Sequence, residues 1–343
     1  MSNVEMRPLL YNAIYYCSFL DCNIKYPQMS RVKENYPEDF LENVKKPLLT
    51  SVPLRGYSNF KIGGTADYFF EAAFNQELVD AIICVREASV PYYIIGGGYN
   101  LLFDDNGFRG LIIKNGVKGI RKKEGIPEVE AFAGASLGDL LRFCEEHGLG
   151  GLEFAAGIPG TVGGAVFGNA GAFEQSIGDF LKEALLLDAK GRQVQVGRDY
   201  FEFKYRHSFL KEKHDVLLSA VFELREEEGK TIKALIDRNL EKREKKHPPH
   251  DLPCAGSYFK NPVLSSGERV PAAYFLEKIG AKKLKVGGAA VYSGHSNFII
   301  NQENASAQDV VQLAQELKRR VKEMFDVELE EEVIFLPAGP STP

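Results

Sequence analysis

Nine consecutive residues, Gly157-Ile158-Pro159-Gly160-Thr161-Val162-Gly163-Gly164-Ala165, constrain this chain's fold more than any other stretch. Glycines at 157, 160, 163 and 164, with a proline between the first two, describe a backbone that turns sharply and admits a ligand closely. Exposed N–H groups in such a turn form a concave anion site that suits a pyrophosphate. A glycine-rich loop alone is ordinarily just a loop. This one gains meaning from a second, Gly96-Gly97-Gly98-Tyr99-Asn100, which follows an apolar strand pattern upstream. Two phosphate-sized cradles in one chain point to a dinucleotide. The first is no Rossmann fingerprint, because Leu101 stands where the third glycine belongs, and the second lacks the Gly-Lys-Ser/Thr ending of a P-loop.

The chain has 343 residues, room for about two or three domains. A 44% hydrophobic share excludes wholesale disorder, and a net charge of −5 argues against a protein that lives on nucleic acid. No apolar run reaches a bilayer span: Leu9 to Leu20 is interrupted by Asn12 and followed by Asp21. The start lacks the basic region and cleavage site of a signal peptide. Cys17, Cys22, Cys84, Cys144 and Cys254 are odd in number and scattered, which fits reduced thiols in the cytoplasm.

Residues 1–50 read as an appendage without a clear period. A short ordered arm and an upstream extension ahead of a true start at Met29 are both open readings. From Ala66 to Glu71 the pattern is a strand; Asn75 then reads as the N-cap of a helix carrying Leu78, Val79, Ile82, Ile83 and Val85. Pro91 to Ile95 is a strand that delivers the chain to the first glycine loop. Leu111 to Ile113 and Val129 to Ala133 follow as strands, and Ser136 with Asp139 opens a helix stopped by Gly148. Beyond the second loop, Leu185–Asp188 and Gln193–Val196 flank Gly191 as a hairpin, Phe201 to Arg206 alternates like a strand, and Val216 to Leu224 is another. Lys230 to Lys246 is a charged helix with a thin apolar seam, ended by His247-Pro248-Pro249, where a domain boundary falls. Pro271 and the Ser306–Asp309 pair begin two more helices, and Val327 to Leu336 reads as a final strand. These elements give an α/β chain with glycine loops; the alternative α+β class comes only with the resemblance below.

Seven motifs in order then carry a resemblance: the first glycine loop with Leu101-Leu102; the second with Asn169-Ala170-Gly171-Ala172; Tyr205-Arg206-His207-Ser208; Ala255 to Pro262; Val286 to Val291; Asn297 to Asn301; and Leu329 to Val333. Together, from about residue 52 to 337, the chain resembles the UDP-N-acetylenolpyruvoylglucosamine reductases, the MurB family. Tyr99 replaces a usual serine and Ser58-Asn59 a usual pair of threonines. The stretch from Leu224 to Lys246 has no room for a substrate-covering tyrosine loop, so the resemblance is to the shorter, type II subtype.

The resemblance implies the FAD-binding fold of the vanillyl-alcohol oxidase (PCMH) type in two subdomains, with a smaller α+β substrate-binding domain. Its expected division is residues 1–50 as an extension, 51–117 and 118–245 as FAD-binding subdomains, 246–337 as the substrate domain and 338–343 as a tail. It implies FAD as cofactor and NADPH as co-substrate, with a UDP-sugar enol ether reduced to UDP-N-acetylmuramate for peptidoglycan, in the cytoplasm. No nucleic acid or membrane partner is expected; the oligomeric state stays open, a monomer slightly preferred.

By the same resemblance Arg206 steadies the developing enolate, Ser257 donates the proton, and Glu332 is the second catalytic group. Taken alone, Arg206 is a strand arginine in a surface ion pair, Ser257 a turn serine, and Glu332 a solvated edge glutamate. Glu332 does stand where a polar strand face turns apolar, the lip of a buried site, where a raised pKa is expected. Cofactor contacts are expected from Gly96, Gly97, Gly98, Tyr99, Asn100, Leu101, Gly157, Ile158, Gly160, Thr161, Gly163, Gly164, Ala165 and Asn169. Substrate contacts are expected from Tyr205, Lys246, Asn261 and His295. His247, His250 and Cys254 lack a fourth partner for a metal site, so none is expected. Another flavin oxidase or dehydrogenase is the competing enzyme reading, weakened because no histidine precedes His147 to tether flavin. A non-catalytic flavin-binding module is the third.

Overall fold

The computed structural model describes residues 48–339, all within one compact unit. The expectations for residues 1–47, Met29 included, and for residues 340–343 lie outside the described residues.

The first sheet has the order β1-β2-β5-β3, from β1 (Leu49–Pro53), β2 (Thr65–Ala72), β3 (Tyr92–Ile95) and β5 (Phe108–Asn115). Both pairings of β5 are parallel and that of β1 with β2 is antiparallel, so Leu49 and Thr50, expected in the appendage, begin a sheet strand. Helix α1 (Asn75–Glu87) buries Leu78, Val79, Ala81, Ile82 and Val85 against this sheet. Asn75 is its first residue rather than its cap. Phe74 stands at the cap position without a side-chain bond, and the Glu77 carboxylate reaches back to accept the Ala73 N–H at 2.8 Å.

The second sheet is antiparallel, in the order β12-β11-β13-β7-β6: β6 (Ile120–Lys122), β7 (Glu128–Phe132), β11 (Leu181–Leu187), β12 (Gln193–Gly197) and β13 (Val216–Glu223). Two-residue strands add β8 (Leu149–Gly150) to β14 (Arg225–Glu226), and β9 (Gly171–Ala172) to β10 (Gln175–Ser176). Helix α2 (Leu137–Glu146) starts where Ser136 Oγ accepts the Asp139 N–H at 3.0 Å, and it buries Leu137, Leu140, Leu141 and Cys144. Helix α3 (Val162–Gly168) carries the second glycine loop into this core, and α4 (Gly229–Glu244) lies against it through Ile236 and Leu240. Leu187 and Leu218 join the core under α1, so the two sheets share apolar packing.

The third layer pairs β15 (Lys285–Val286), β16 (Ala289–Val291) and β17 (Ile299–Asn301) against α5 (Ala272–Lys278) and α6 (Ala307–Phe325). At the start of α6, Ser306 and Asp309 exchange backbone N–H bonds through their side chains, both at 3.0 Å.

Of two expected strands, one is absent and the other is shortened. Phe201 ends the 3₁₀ turn Arg198–Phe201, and the chain then makes a tight reversal in which Lys204 and His207 exchange N–H···O bonds of 3.0 and 3.1 Å. The left-handed backbone of Arg206, at φ +55°, breaks the extended run, and the Asn169 amide braces the reversal by donating to the Lys204 carbonyl at 2.9 Å. Within 327–336 only β18 (Ile334–Leu336) is a strand, pairing in parallel with β4 (Leu101–Phe103). Just before it, Glu330–Glu332 runs antiparallel to Tyr258–Lys260. The segment changes partner at Val333, because the Asn100 side chain takes the Glu332 carbonyl at 2.9 Å.

Candidate active site

The two glycine loops touch. A Cβ placed on Gly96 would lie 2.4 Å from Thr161 Oγ1, and one on Gly97 would lie 3.8 Å from the Gly160 Cα. Thr161 is pinned by an antiparallel bridge to Ser136, with Leu137 donating to the Gly160 carbonyl at 3.0 Å. The N–H groups of Gly97, Gly98, Tyr99, Asn100, Gly160 and Thr161 donate to no acceptor among the described residues. Those of Gly163, Gly164 and Ala165 are committed internally, to the Ala133 carbonyl, Thr161 Oγ1 and the Thr161 carbonyl. These three residues therefore build the cradle rather than face it. The exposed Tyr99 ring lies against Gly97, so no hydroxyl replaces the usual serine's close to the loop backbone. Leu101 is buried in β4, and Ile158 donates to Ala155 beside Gly157.

Beside these loops, Arg206 and Glu332 form an ion pair, Nε to Oε1, at 2.7 Å, each about a quarter exposed. The N–H does not point along this contact, so it is a meeting of charges rather than an aligned hydrogen bond. Burial raises the Glu332 carboxyl above its usual range, and the charges of Arg206, Lys211 and Lys260 pull it back. The Glu332 N–H donates to the Tyr258 carbonyl at 2.8 Å, which sets Ser257 one residue from that ladder position. Asn297, buried, holds this strand from behind, donating to the Phe259 carbonyl at 2.9 Å and accepting the Phe259 N–H at 3.0 Å. Through Asn100, Glu332 is also tied to the first glycine loop. The three residues expected to be catalytic are thus gathered at that loop.

Tyr205 and Asn261 come together: the Asn261 N–H donates to the Tyr205 hydroxyl at 3.2 Å, and the Arg269 guanidinium stacks 4.0 Å over the Tyr205 ring. Lys246 is exposed just past α4, in the electrostatic neighbourhood of His247 and His295. His295 lines an open hollow of about 450 Å³ with Tyr274, Lys278, Lys282 and Ser296; none of the other expected site residues lines it. Asn169, expected at the cofactor, spends both ends of its amide inside the protein, on the Lys204 carbonyl and the Gly178 N–H. It holds the Arg206 turn instead.

Several residues carry a part at the site that their sequence context did not assign them. Asn59 bridges the first loop to the third layer, its backbone N–H on the Gly98 carbonyl and its amide on the Cys254 carbonyl at 2.6 Å. Ser58, buried beside it, donates to the Leu101 carbonyl at 3.1 Å. Arg243 presses its side chain on Gly157, and its buried Nε has no partner among the described residues. Burial lowers its pKa, and the nearby charge of Arg206 lowers it further. A signal existed: Ile236, Leu240 and Arg243 are spaced four and three apart, which puts a charge on the helix's apolar seam. An uncompensated guanidinium against one glycine loop, with free N–H groups on both, fits a pyrophosphate.

Comparison with known proteins agrees. Residues 66–197, a span that contains both glycine loops, match the model of an FAD binding domain, so the protein is a flavoenzyme. Residues 247–336 match the UDP-N-acetylenolpyruvoylglucosamine reductase C-terminal domain. The chain is 39% identical over 297 residues to the Clostridium botulinum UDP-N-acetylenolpyruvoylglucosamine reductase, covering 86% of this chain and 94% of that one. It is 37% identical over 300 residues to the reductase of Caldicellulosiruptor bescii, covering 87% and 94%. The crystal structure of the Thermus caldophilus reductase, MurB, superposes with a TM-score of 0.68 at 28% identity, over 84% of this chain and all of that one. The chain belongs to the UDP-N-acetylenolpyruvoylglucosamine reductase family.

Proposed function

We propose that this chain reduces UDP-N-acetylenolpyruvoylglucosamine to UDP-N-acetylmuramate with electrons from NADPH, in the cytoplasmic synthesis of peptidoglycan precursors. The observation that carries the reading is the convergence of Arg206, Glu332 and the Ser257 strand on a loop of the flavin cradle. Among the described residues no helix is long and apolar enough to cross a membrane. Gly96–Asn100, Gly157–Thr161 and Arg243 hold the FAD pyrophosphate. Bound flavin supplies the carriage of a hydride from NADPH to C3 of the enol ether.

Adding a hydride at C3 leaves an electron pair on C2, delocalised into the adjacent carboxylate. Arg206 sets a permanent positive charge against that developing negative charge. Ser257 then delivers a proton to C2, a base strong enough to take one from a hydroxyl. The Glu332 carboxyl, its pKa raised by burial, steadies the enol form and returns the proton to the serine. Tyr205 and Asn261, joined by their hydrogen bond, position the substrate, with Lys246 and His295 on its phosphate side. Atoms balance: one hydride and one proton add across the C2–C3 double bond.

Purified protein should carry releasable yellow flavin and oxidise NADPH only when the UDP-sugar enol ether is present. Ser257→Ala should keep the flavin and lose about 10²–10⁴-fold in turnover. Full-rate reduction by that variant would remove Ser257 as proton donor, and no substrate-dependent oxidation by the wild type would remove the reading itself.

A further inference from the structure

The arginine that the functional reading sets against the substrate sits on an unfavourable piece of backbone. Arg206 has φ +55°, in the left-handed region that costs a side-chain-bearing residue about 1–2 kcal/mol. Something must hold it there. The Lys204–His207 reversal supplies two backbone hydrogen bonds, and Asn169 anchors its Lys204 side. Its Arg206 carbonyl is taken by Lys211, whose ammonium donates at 2.8 Å. Lys211 is itself placed by the single 3₁₀ turn Phe209–Lys211, whose preceding Ser208 donates to the Phe167 carbonyl at 2.8 Å, and by the Phe167 ring 5.6 Å beneath the ammonium. Among the described residues no carboxylate lies within ion-pair distance of it.

We propose that Lys211 is a positioning residue for the reduction: its charged ammonium, fixed on the Arg206 carbonyl, holds the left-handed turn that aims Arg206 at Glu332, so turnover needs that lysine protonated. The proposal rests on the functional reading above. The groups facing Lys211 come from three segments: Arg206 from its own loop, Lys260 from the strand after Ser257, and Glu330 and Glu332 from the segment before β18. Burial and the Lys260 charge lower the ammonium's pKa, Glu332 and Glu330 oppose them, and the result is about 8. A neutral amine makes the weaker hydrogen bond and brings no charge to the site.

Stability does not account for this lysine. Its folded pKa lies below the unfolded value, so between about 8 and 10.4 the unfolded chain binds the extra proton and stability rises with pH. At neutral pH the buried charge therefore works against folding, and replacing it by a methionine relieves that cost.

The test compares wild type, Lys211→Met and Lys211→Arg as flavin-loaded enzymes, with kcat and kcat/KM for the enol ether measured from about pH 6 to about pH 10. Wild type should lose kcat above about pH 8. Lys211→Arg, charged throughout, should carry that limb to higher pH. Lys211→Met should be about 10²-fold slower in kcat at neutral pH, without the limb near 8, while its melting temperature holds. Hydrogen exchange at the amides of residues 204–208 should be faster in Lys211→Met and restored in Lys211→Arg. Wild-type kcat in Lys211→Met, or an alkaline limb that Lys211→Arg leaves in place, would overturn the assignment. Should Lys211→Met fail to fold, the wild-type and Lys211→Arg profiles decide alone. If wild type reduces no enol ether at any pH, the functional reading fails. The exchange measurement, which needs no turnover, still decides whether Lys211 holds the turn.

Discussion

Gly98 shows how little latitude the flavin loop has. Its φ is +69°, and a Cβ there would lie 1.8 Å from the Tyr57 carbonyl oxygen, an impossible approach. Gly98→Ala must therefore shift the loop off Tyr57 and Asn59. We expect it to fold but to bind FAD about 5- to 30-fold more weakly, from a strain of about 1–2 kcal/mol, read as the flavin-to-protein absorbance ratio during dialysis. Residues of this kind were legible, because a glycine that must be glycine leaves a pattern. Arg206, Ser257 and Glu332 were legible only through their motifs; as bare residues each reads as surface or turn. Arg243 was half legible, as a charge on an apolar seam. Lys211 left no signal: a lysine five residues past an arginine in a loop looks like any other until the turn between them is seen.

Elements were easier to read where their ends are chemically marked. The Ser306–Asp309 box opens α6, and its reciprocal bonds are present in the structure. Ser306→Ala should cost about 1 kcal/mol and lower the melting temperature by about 2 °C, read by scanning calorimetry, with flavin content unchanged. The Asp309 carboxylate, held below its usual pKa chiefly by the Ser306 N–H, would lose part of that depression. Expectations failed where a long-range side chain intercepts the backbone. Aromatic–polar alternation over 201–206 fits a strand, yet the chain reverses at Tyr205–Arg206, and Asn169 braces that reversal through the Lys204 carbonyl. Alternation over 327–336 fits one strand, yet Asn100 divides it between two partners. Local pattern cannot see an acceptor taken by an amide 35 or 232 residues away. Asn75 failed for a smaller reason, since the helix begins one residue early, with Phe74 at the cap position.

At the scale of the whole molecule, His247 couples the end of α4 to the third layer, its ring 5.1 Å from Phe298 and 6.1 Å from His295. Burial first, then the charge of Arg243, pushes its pKa down to about 4. The unfolded chain holds a proton there from about pH 6.5 downward, so stability is full above that value and is lost as pH falls toward about 4. The loss from this residue should be on the order of 2 kcal/mol. Denaturant midpoints over that range should fall less steeply in His247→Gln, and an unchanged slope would assign the acid sensitivity elsewhere.

The parallel pairing of β18 with β4 has a consequence for how such a chain comes into being on the ribosome. The strand that shoulders the first glycine loop is made more than two hundred residues after the loop itself. Until Ile334–Leu336 leaves the exit tunnel, Leu101–Phe103 waits with an unclaimed edge, and the carboxyl of Glu332 has no address. The first glycine loop and the carboxylate that meets Arg206 are therefore joined only once the last strand has been made, and a chain cut before residue 330 lacks both the partner of β4 and the Asn100–Glu332 bond.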